Sequence, residues 1–548
     1  MNDIRTRAAI GPAWAPLRHR AFAVIWSAAL VSNVGTWMND VGAGWLMTTL
    51  SPSPTMVALV QTAMTLPVLL FALPAGALAD IVDRRRLLIA VQAAAAVVVA
   101  VFAVLVWKGL VTPLGLLLFN FILGTGLAFF GPTRNAVVPK LVPPAELHQA
   151  VMLNGIGMNV SRAIGPALAG MVIVSVGVAA PFAFNALSFL GVVAAFIWWR
   201  PPPAPPLTAP REQLWGAMVA GLRFARGSDW LRAALLRGLA FFLFASALWA
   251  LLPLVARELL AGGAPLYGFL NAGIGVGAVG GALLVPRLRH RLDGHHLVML
   301  ATLVLALALA VVGLVQQRWA VGIAMLLFGG AWITGLASLN VSAQVALPDW
   351  VRARGMALFL MVMFGSLSLG SALWGGLASH TSIPAALLTA AMLALLGILL
   401  TRRAVLRDTA DCDLAPVENW PAPMVDGEIP EDRGPVMVLV EYDIATTDRA
   451  AFVSAMGPVA KARRRLGAFG WELFEDAARP GRFVESFVEA SWADHLRHHA
   501  RISEADLSIS AAARRFHQGP EPPRVQHLIP PRLPDQRGAD PGPGRQQR

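Results

Sequence analysis

Cysteine is all but missing from this chain. Cys412 is the only one in 548 residues, so no internal disulfide can form and no cysteine-based metal centre can be built. Lysine is nearly as scarce, at Lys108, Lys140 and Lys461, and none closes the G-x-x-x-x-G-K-[ST] loop that cradles nucleotide phosphates. ATP hydrolysis of that type is excluded as an energy source. Charge is thin too, with 14% charged residues against 56% hydrophobic and a mean hydropathy of +0.61. Such a chain cannot hide its apolar surface in a water-soluble fold, which leaves a membrane as its solvent.

What the sequence has in abundance is long apolar runs. A span needs roughly 20 mostly apolar residues, and twelve stretches qualify, at 21–47, 55–79, 87–107, 112–131, 152–175, 178–199, 233–256, 266–286, 296–316, 319–345, 355–378 and 383–401. The first is too long for a cleaved signal peptide and lacks a small-residue cleavage site, so it is expected to remain a span. The formal charge of +12 would suit nucleic acid. Its basic residues, however, are scattered through short connections beside spans, so no nucleic-acid partner is expected. With the N-terminus placed in the cytoplasm, the inner side carries 23 Lys and Arg and the outer side only Lys108, Arg257 and Arg318. That asymmetry predicts cytoplasmic termini and an even number of spans.

An internal repeat divides the spans. A shift of 205 residues lays Gly76-Ala77-Leu78 on Gly281-Ala282-Leu283, Arg84 and Arg86 on Arg289 and Arg291, Gly124 on Gly329, Asn135 on Asn340, and Gly165 and Gly170 on Gly370 and Gly375. One offset serving glycines and arginines at equivalent span ends is what a duplicated bundle predicts. The expected fold is all-α membrane, with twelve transmembrane helices in two pseudo-repeated six-helix bundles, followed by a small α+β domain. The expected layout is a leader (1–20), a first bundle (21–199), a linker (200–232), a second bundle (233–402), a second linker (403–434), an α+β domain (435–532) and a disordered tail (533–548). The first linker opens with Pro201-Pro202-Pro203 and continues as Leu214, Met218, Leu222 and Phe224, which suggests a stiff spacer and then an amphipathic helix on the membrane surface.

Helical spacing selects the polar path. Asn33, Trp37, Asp40 and Gly44 step by 4, 3 and 4 along the first span and share one face. Asp40 is the clearest acid inside any span. An ionised carboxylate there needs water, a substrate cation or a partner, unless it sits near the outer end and is simply solvated. In the fifth span Asn159 and Arg162 share a face with Gly155, Pro166 and Gly170. Arg162 has no partner in its own helix, so it either faces a cavity or another span, or serves as a structural bridge at the cytoplasmic ends. A titrating Asp40 would offer a route to proton antiport.

The layout and the run Gly76-Ala-Leu78-Ala-Asp80-Ile-Val-Asp83-Arg84-Arg85-Arg86 resemble the major facilitator superfamily, whose second-to-third loop has the form G-x-L-a-D-r-x-G-r-r. Gly76, Leu78, Asp80, Arg84 and Arg85 match, while Ile81 replaces the usual Arg and Asp83 the usual Gly. The resemblance implies a gate in which Asp80 and the arginines hold the inner side shut. On the other reading, the arginines only set topology. Three further runs, Gly35-Thr-Trp37-Met-Asn-Asp40, Gly131-Pro-Thr-Arg134-Asn-Ala-Val-Val-Pro139 and Arg162-Ala-Ile-Gly165-Pro166-Ala-Leu-Ala-Gly170, resemble the enterobactin-exporter or transmembrane secretion effector branch. That likeness implies a secondary exporter of a siderophore, drug or other small metabolite in a bacterial cytoplasmic membrane. Many proton-coupled drug exporters carry an Arg four residues before the glycine of the fourth span. Here Asn120 stands at that distance from Gly124, so coupling by that arginine is in doubt.

The tail changes character. Val436–Tyr442 alternates as a strand, Asp448 is expected to cap a helix to Leu466, Phe469–Phe474 and Arg482–Glu489 read as strands, Trp492 to about Arg515 as one helix, and Arg524–Ile529 as a closing strand. This βαββαβ order resembles ferredoxin-like domains of the antibiotic-biosynthesis-monooxygenase type, which implies self-association through the sheet. His495, His498 and His499 fall within one helical turn and are taken as an exposed polar face rather than a metal site. No cofactor or metal is expected. Two functional classes follow: a carrier for a small-molecule substrate within the lipid bilayer, or a membrane-anchored monooxygenase-like enzyme or ligand sensor acting through the tail. The carrier is favoured, because twelve spans, a repeat and a gate loop exceed what an anchor needs.

Overall fold

The structure is a computed structural model that describes residues 14–135, 137–200, 222–406, 429–430 and 432–531. It divides into two compact units. The first comprises Met1–Leu214, Ala233–Gln344 and Met356–Asp408; the second comprises Trp215–Arg232, Val345–Gly355 and Thr409–Arg548. The leader before Trp14, most of both linkers and the tail beyond 531 lie outside the described residues, and with them the proline run, Leu214 and Met218 of the predicted surface helix.

Among the described residues twelve helices are long and apolar enough to cross a membrane, most of their length falling in the first unit. They are α1 (Arg20–Leu50), α2 (Pro54–Ile81), α3 (Arg84–Trp107), α4 (Pro113–Asn135), α5 (Leu147–Ser175), α6 (Ala180–Trp198), α7 (Asp229–Leu254), α8 (Ala264–Arg289), α9 (Gly294–Leu314), α10 (Arg318–Val345), α11 (Asp349–His380) and α12 (Ile383–Thr401). Trp107, Leu187 and Leu400 are 77%, 67% and 75% exposed, the outward apolar surface that only a hydrocarbon solvent tolerates. Several helices outrun the apolar stretches that announced them: α5 begins at Leu147 instead of 152, and α11 at Asp349 instead of 355. Hydropathy registers only the hydrocarbon core, whereas helical hydrogen bonding continues into the polar layer.

Helix α1 packs on α5 and α6, α2 on α4, α3 on α6, α9 on α12, and α5 crosses between the halves to pack on α8. Glycine makes that last contact: a Cβ on Gly275 would lie 2.7 Å from the Arg162 carbonyl oxygen, and one on Gly268 would lie 2.4 Å from that of Pro166. The third helix of each half opens on an aspartate cap. Asp83 opens α3 by accepting from the Arg86 amide at 2.8 Å, and Asp293 opens α9 by accepting from the His296 amide at 2.8 Å. The final helix of each half is capped by an arginine. Arg85 donates to the Phe196 and Ile197 carbonyls of α6, both at 2.7 Å, and Arg237 donates to the Thr401 carbonyl of α12 at 3.0 Å. At the end away from the N-terminus the halves are tied together, Arg257 donating to the Thr48 carbonyl and the Thr55 hydroxyl meeting Ser379 at 2.7 Å.

The second unit holds β1 (Val436–Asp443), α13 (Arg449–Leu466), β2 (Phe469–Glu475), β3 (Arg482–Glu489), α14 (Trp492–Arg501), α15 (Glu504–Arg514) and β4 (Arg524–Leu528). All strands pair antiparallel in the order β2-β3-β1-β4, the split arrangement of a βαββαβ unit. Val436, Val438, Val440 and Tyr442 point from β1 into a core completed by Phe452, Met456 and Val459 of α13. In the same unit Arg223 donates to the Gly467 carbonyl at 2.8 Å. Two expectations need correction. The single helix from Trp492 to Arg515 is broken at Ile502, because Ser503 and Asp506 form a reciprocal capping box that starts α15. Asp448 stands at the start of α13, but its side chain makes no capping bond.

One buried carboxylate organises this unit. Glu485, with no exposed surface, accepts from Arg463 Nε at 3.2 Å, Trp471 Nε1 at 3.0 Å and Tyr442 Oη at 3.1 Å. Burial and the neighbouring Glu485 charge push the Tyr442 hydroxyl well above its ordinary pKa, keeping it a donor. Glu485→Ala would strand the Arg463 charge, a loss of about 3–5 kcal/mol. Hydrogen exchange should show β1 and β3 amides deprotected to that extent with α1–α12 unaffected. Unchanged protection in the strands would refute this account.

Candidate functional site

Arg162 lies fifteen residues into α5 and thirteen from its end, so it is not at either end of the helix. Its guanidinium is held between two indoles: Cζ is 5.0 Å from the Trp37 ring centroid on α1 and 5.5 Å from that of Trp249 on α7. Cation–π attraction of this kind reaches about 2 kcal/mol per ring when desolvated. The arginine therefore links the first half to the second from the middle of α5. Gly165 permits this, since a Cβ there would come within 2.7 Å of Trp37 Cβ. Arg162 Nε is buried with no hydrogen-bond partner among the described residues, leaving a polar donor in an apolar layer.

Trp249 opens onto an aromatic wall. Its ring meets Phe328 at 5.9 Å and Trp332 at 5.6 Å, and Trp332 continues to Phe242 at 5.6 Å. The indole nitrogens of Trp249 and Trp332 are buried without partners among the described residues. Asp40 is half-buried on α1, one turn beyond Trp37. Its neighbour Asn39 is 1% exposed. One turn further, a Cβ on Gly44 would lie 2.7 Å from Tyr267 Oη of α8, so that hydroxyl closes over the α1 face. Buried polar atoms without partners among the described residues thus stand beside an aromatic wall, the mixed polarity that an amphipathic ligand would require of a lining.

The other predicted residues divide. Trp37 and Arg162 come together, Asp40 stands one turn beyond Trp37 on α1, and half-buried Asn159 stands one turn before Arg162. Asn33 instead borders a separate small cleft of about 40 Å³ with Phe22, Trp26, Arg134 and Asn154, toward the N-terminal end of α1. Asn120 is 2% exposed and donates to the Leu116 carbonyl of its own helix at 2.8 Å, so it does not join the group. Its neighbour Gly124 is needed for packing, as a Cβ there would lie 2.3 Å from the Met64 carbonyl oxygen. In the loop motif Arg85 caps α6 and Arg84 begins α3, while the surroundings of Gly76 and the side chain of Asp80 lie outside the described residues. The histidine reading is corrected: His495 and His498 are each 2% exposed, because Glu489 draws both inward.

The sequence pattern of the family described as transmembrane secretion effector matches residues 11–533. The chain belongs to that family. As a transmembrane secretion effector it is a multi-pass membrane protein. It is similar to the enterobactin exporter EntS of Escherichia coli O1:K1 / APEC, 31% identical over 274 residues that cover 48% of this chain. The chain spans 63% of that relative's length, less than two thirds. A second such exporter, from Shigella boydii serotype 4, is 29% identical over 406 residues, 70% of this chain and 91% of the relative. Among solved structures, a nucleoside transporter NupG mutant aligns with a TM-score of 0.57 at 13% identity, over 70% of this chain and 99% of its own. A bacterial homologue of the human lysosomal transporter Spinster, inward-facing and unoccupied, aligns at 0.54 and 16% identity, over 71% and 97%. These two likenesses concern the fold alone.

Trp249, Tyr267 and Asn39 were not singled out from the sequence. A signal for Trp249 was present: the 205-residue shift lays it on Gly44, a member of the α1 face. Asn39 falls off that face by spacing, and Tyr267 lies in the opposite half, where no local pattern ties it to α1.

Proposed function

We propose that this transmembrane secretion effector is a secondary transporter that exports a small amphipathic metabolite, siderophore-like in size and mixed polarity, by alternating access. The observation that carries the reading is Arg162 between Trp37 and Trp249, a cation held midway between two halves beside an aromatic wall. An anionic or catechol-like group can meet the guanidinium while rings stack on the indoles. The enterobactin exporters it resembles lend the substrate class. Asp40, near the same face, serves as proton carrier, so that proton and substrate compete for one state of the site. The basic asymmetry of the connections supports cytoplasmic termini, and the sheet of the second unit supports self-association.

The gate is assigned to the Gly76–Arg85 segment, with Asp80 as the breakable charge. Asp80→Asn is expected to lower transport at least about tenfold, the effect of 1.4 kcal/mol on one state, with normal membrane insertion. Unchanged rates at equal expression would move the gate elsewhere. The function itself is tested in inverted vesicles supplied from outside with a catechol siderophore panel under an imposed proton gradient. Protein-dependent accumulation supports export. No accumulation of any member, together with activity retained only by the separate 435–548 segment, would reject it.

A further inference from the structure

We propose that His495, His499 and His527 form a binding site for a divalent transition-metal ion of the zinc class. His495 and His499 stand four residues apart on α14 and so face the same way, and His527 comes from β4, the closing strand of the sheet. One ring nitrogen from each lies within 4.8 Å of the other two. The rings converge as well, with centroids 4.6 Å apart for His495–His499 and 4.7 Å for His495–His527. Tetrahedral coordination at about 2.0–2.1 Å would draw the nitrogens to about 3.3 Å, a change within reach of imidazole rotation.

Two independent features point to a ligand. The side chain of His495 is 2% exposed, and its Nε2 is buried without a partner among the described residues, as is Nε2 of His527. A buried imidazole nitrogen facing other imidazole nitrogens carries an unmet lone pair, which a cation satisfies. The opposite nitrogen of His495, Nδ1, is 2.6 Å from Glu489 Oε2. A carboxylate accepting from Nδ1–H fixes the tautomer that presents Nε2 and raises its basicity, the arrangement that commonly backs a metal-bound histidine. His498, also held by Glu489, stacks on Phe487 with centroids 5.8 Å apart and lies outside the trio. Trp492 closes one side, 5.1 Å from the His495 ring. Three neutral nitrogens without thiolates suit zinc, and cobalt as its probe, and leave a coordination position open. An ion here would tie α14 to β4.

The test uses the full chain in detergent, without a histidine tag, stripped with chelator and titrated with Zn²⁺ or Co²⁺ alone. The expected result is one ion per chain, a visible Co²⁺ absorption band, and affinity lowered at least about 100-fold in H499Q/H527Q, the upper end of what losing even an outer-shell partner costs. Both substituted side chains are only partly buried, so the fold should persist, and an unchanged elution profile and circular dichroism spectrum verify it. Failure of the wild-type chain to bind either ion, or equal stoichiometry and affinity in the folded double variant, would overturn the proposal.

Discussion

Arg162→Gln should abolish substrate transport while leaving the protein inserted and folded. The guanidinium touches Trp37 of one half and Trp249 of the other, and glutamine offers neither ring a cation. If both contacts matter in one state of the cycle, about 2–4 kcal/mol is lost, roughly a 30- to 1,000-fold change in that state's population. Folding should survive because the substitution also removes a buried charge whose Nε has no partner among the described residues, relieving a desolvation cost. Arg162→Lys separates charge from shape: it keeps the cation but not the planar stack, so partial activity is expected. Initial uptake rates in vesicles, normalised to inserted protein, decide the matter. Full activity in the glutamine variant would show that the arginine is only a packing element.

A second large effect is expected at Asp40→Asn. Only a titrating group can exchange a proton, so transport in this variant should lose its dependence on the pH gradient while substrate-driven exchange persists. The surroundings favour coupling. Asp40 is half-buried beside a buried Asn39, and Tyr267 closes over the face one turn away. Neutralising the carboxylate thus removes the titration without emptying the site of polar groups. Comparing proton-driven counterflow with exchange at zero gradient separates the two activities. Full gradient-driven counterflow in Asp40→Asn would exclude this residue as the coupling group.

What the amino-acid order determined by itself was periodic and local. Twelve apolar runs announced twelve helices because crossing hydrocarbon demands a long, internally hydrogen-bonded segment whatever its neighbours are. The strands of the tail were legible for a similar reason, since Val436, Val438, Val440 and Tyr442 alternate with the pleat. A face such as Trp37 with Asp40 is also local, being set by 3.6 residues per turn. The Ser503–Asp506 box was written in the sequence too, but the helical pattern on either side of it obscured the break. What required the tertiary structure were partners distant along the chain. Trp249 meets Arg162 only because Gly165 brings α5 against α1 and the halves close on each other. Glu489 turns His495 and His498 inward only because β3 places a carboxylate beneath α14, and no spacing within the helix tells an inward imidazole from an outward one. Helical and strand periods say which residues share a face; packing alone decides what that face meets, and its polar chemistry depends on the answer.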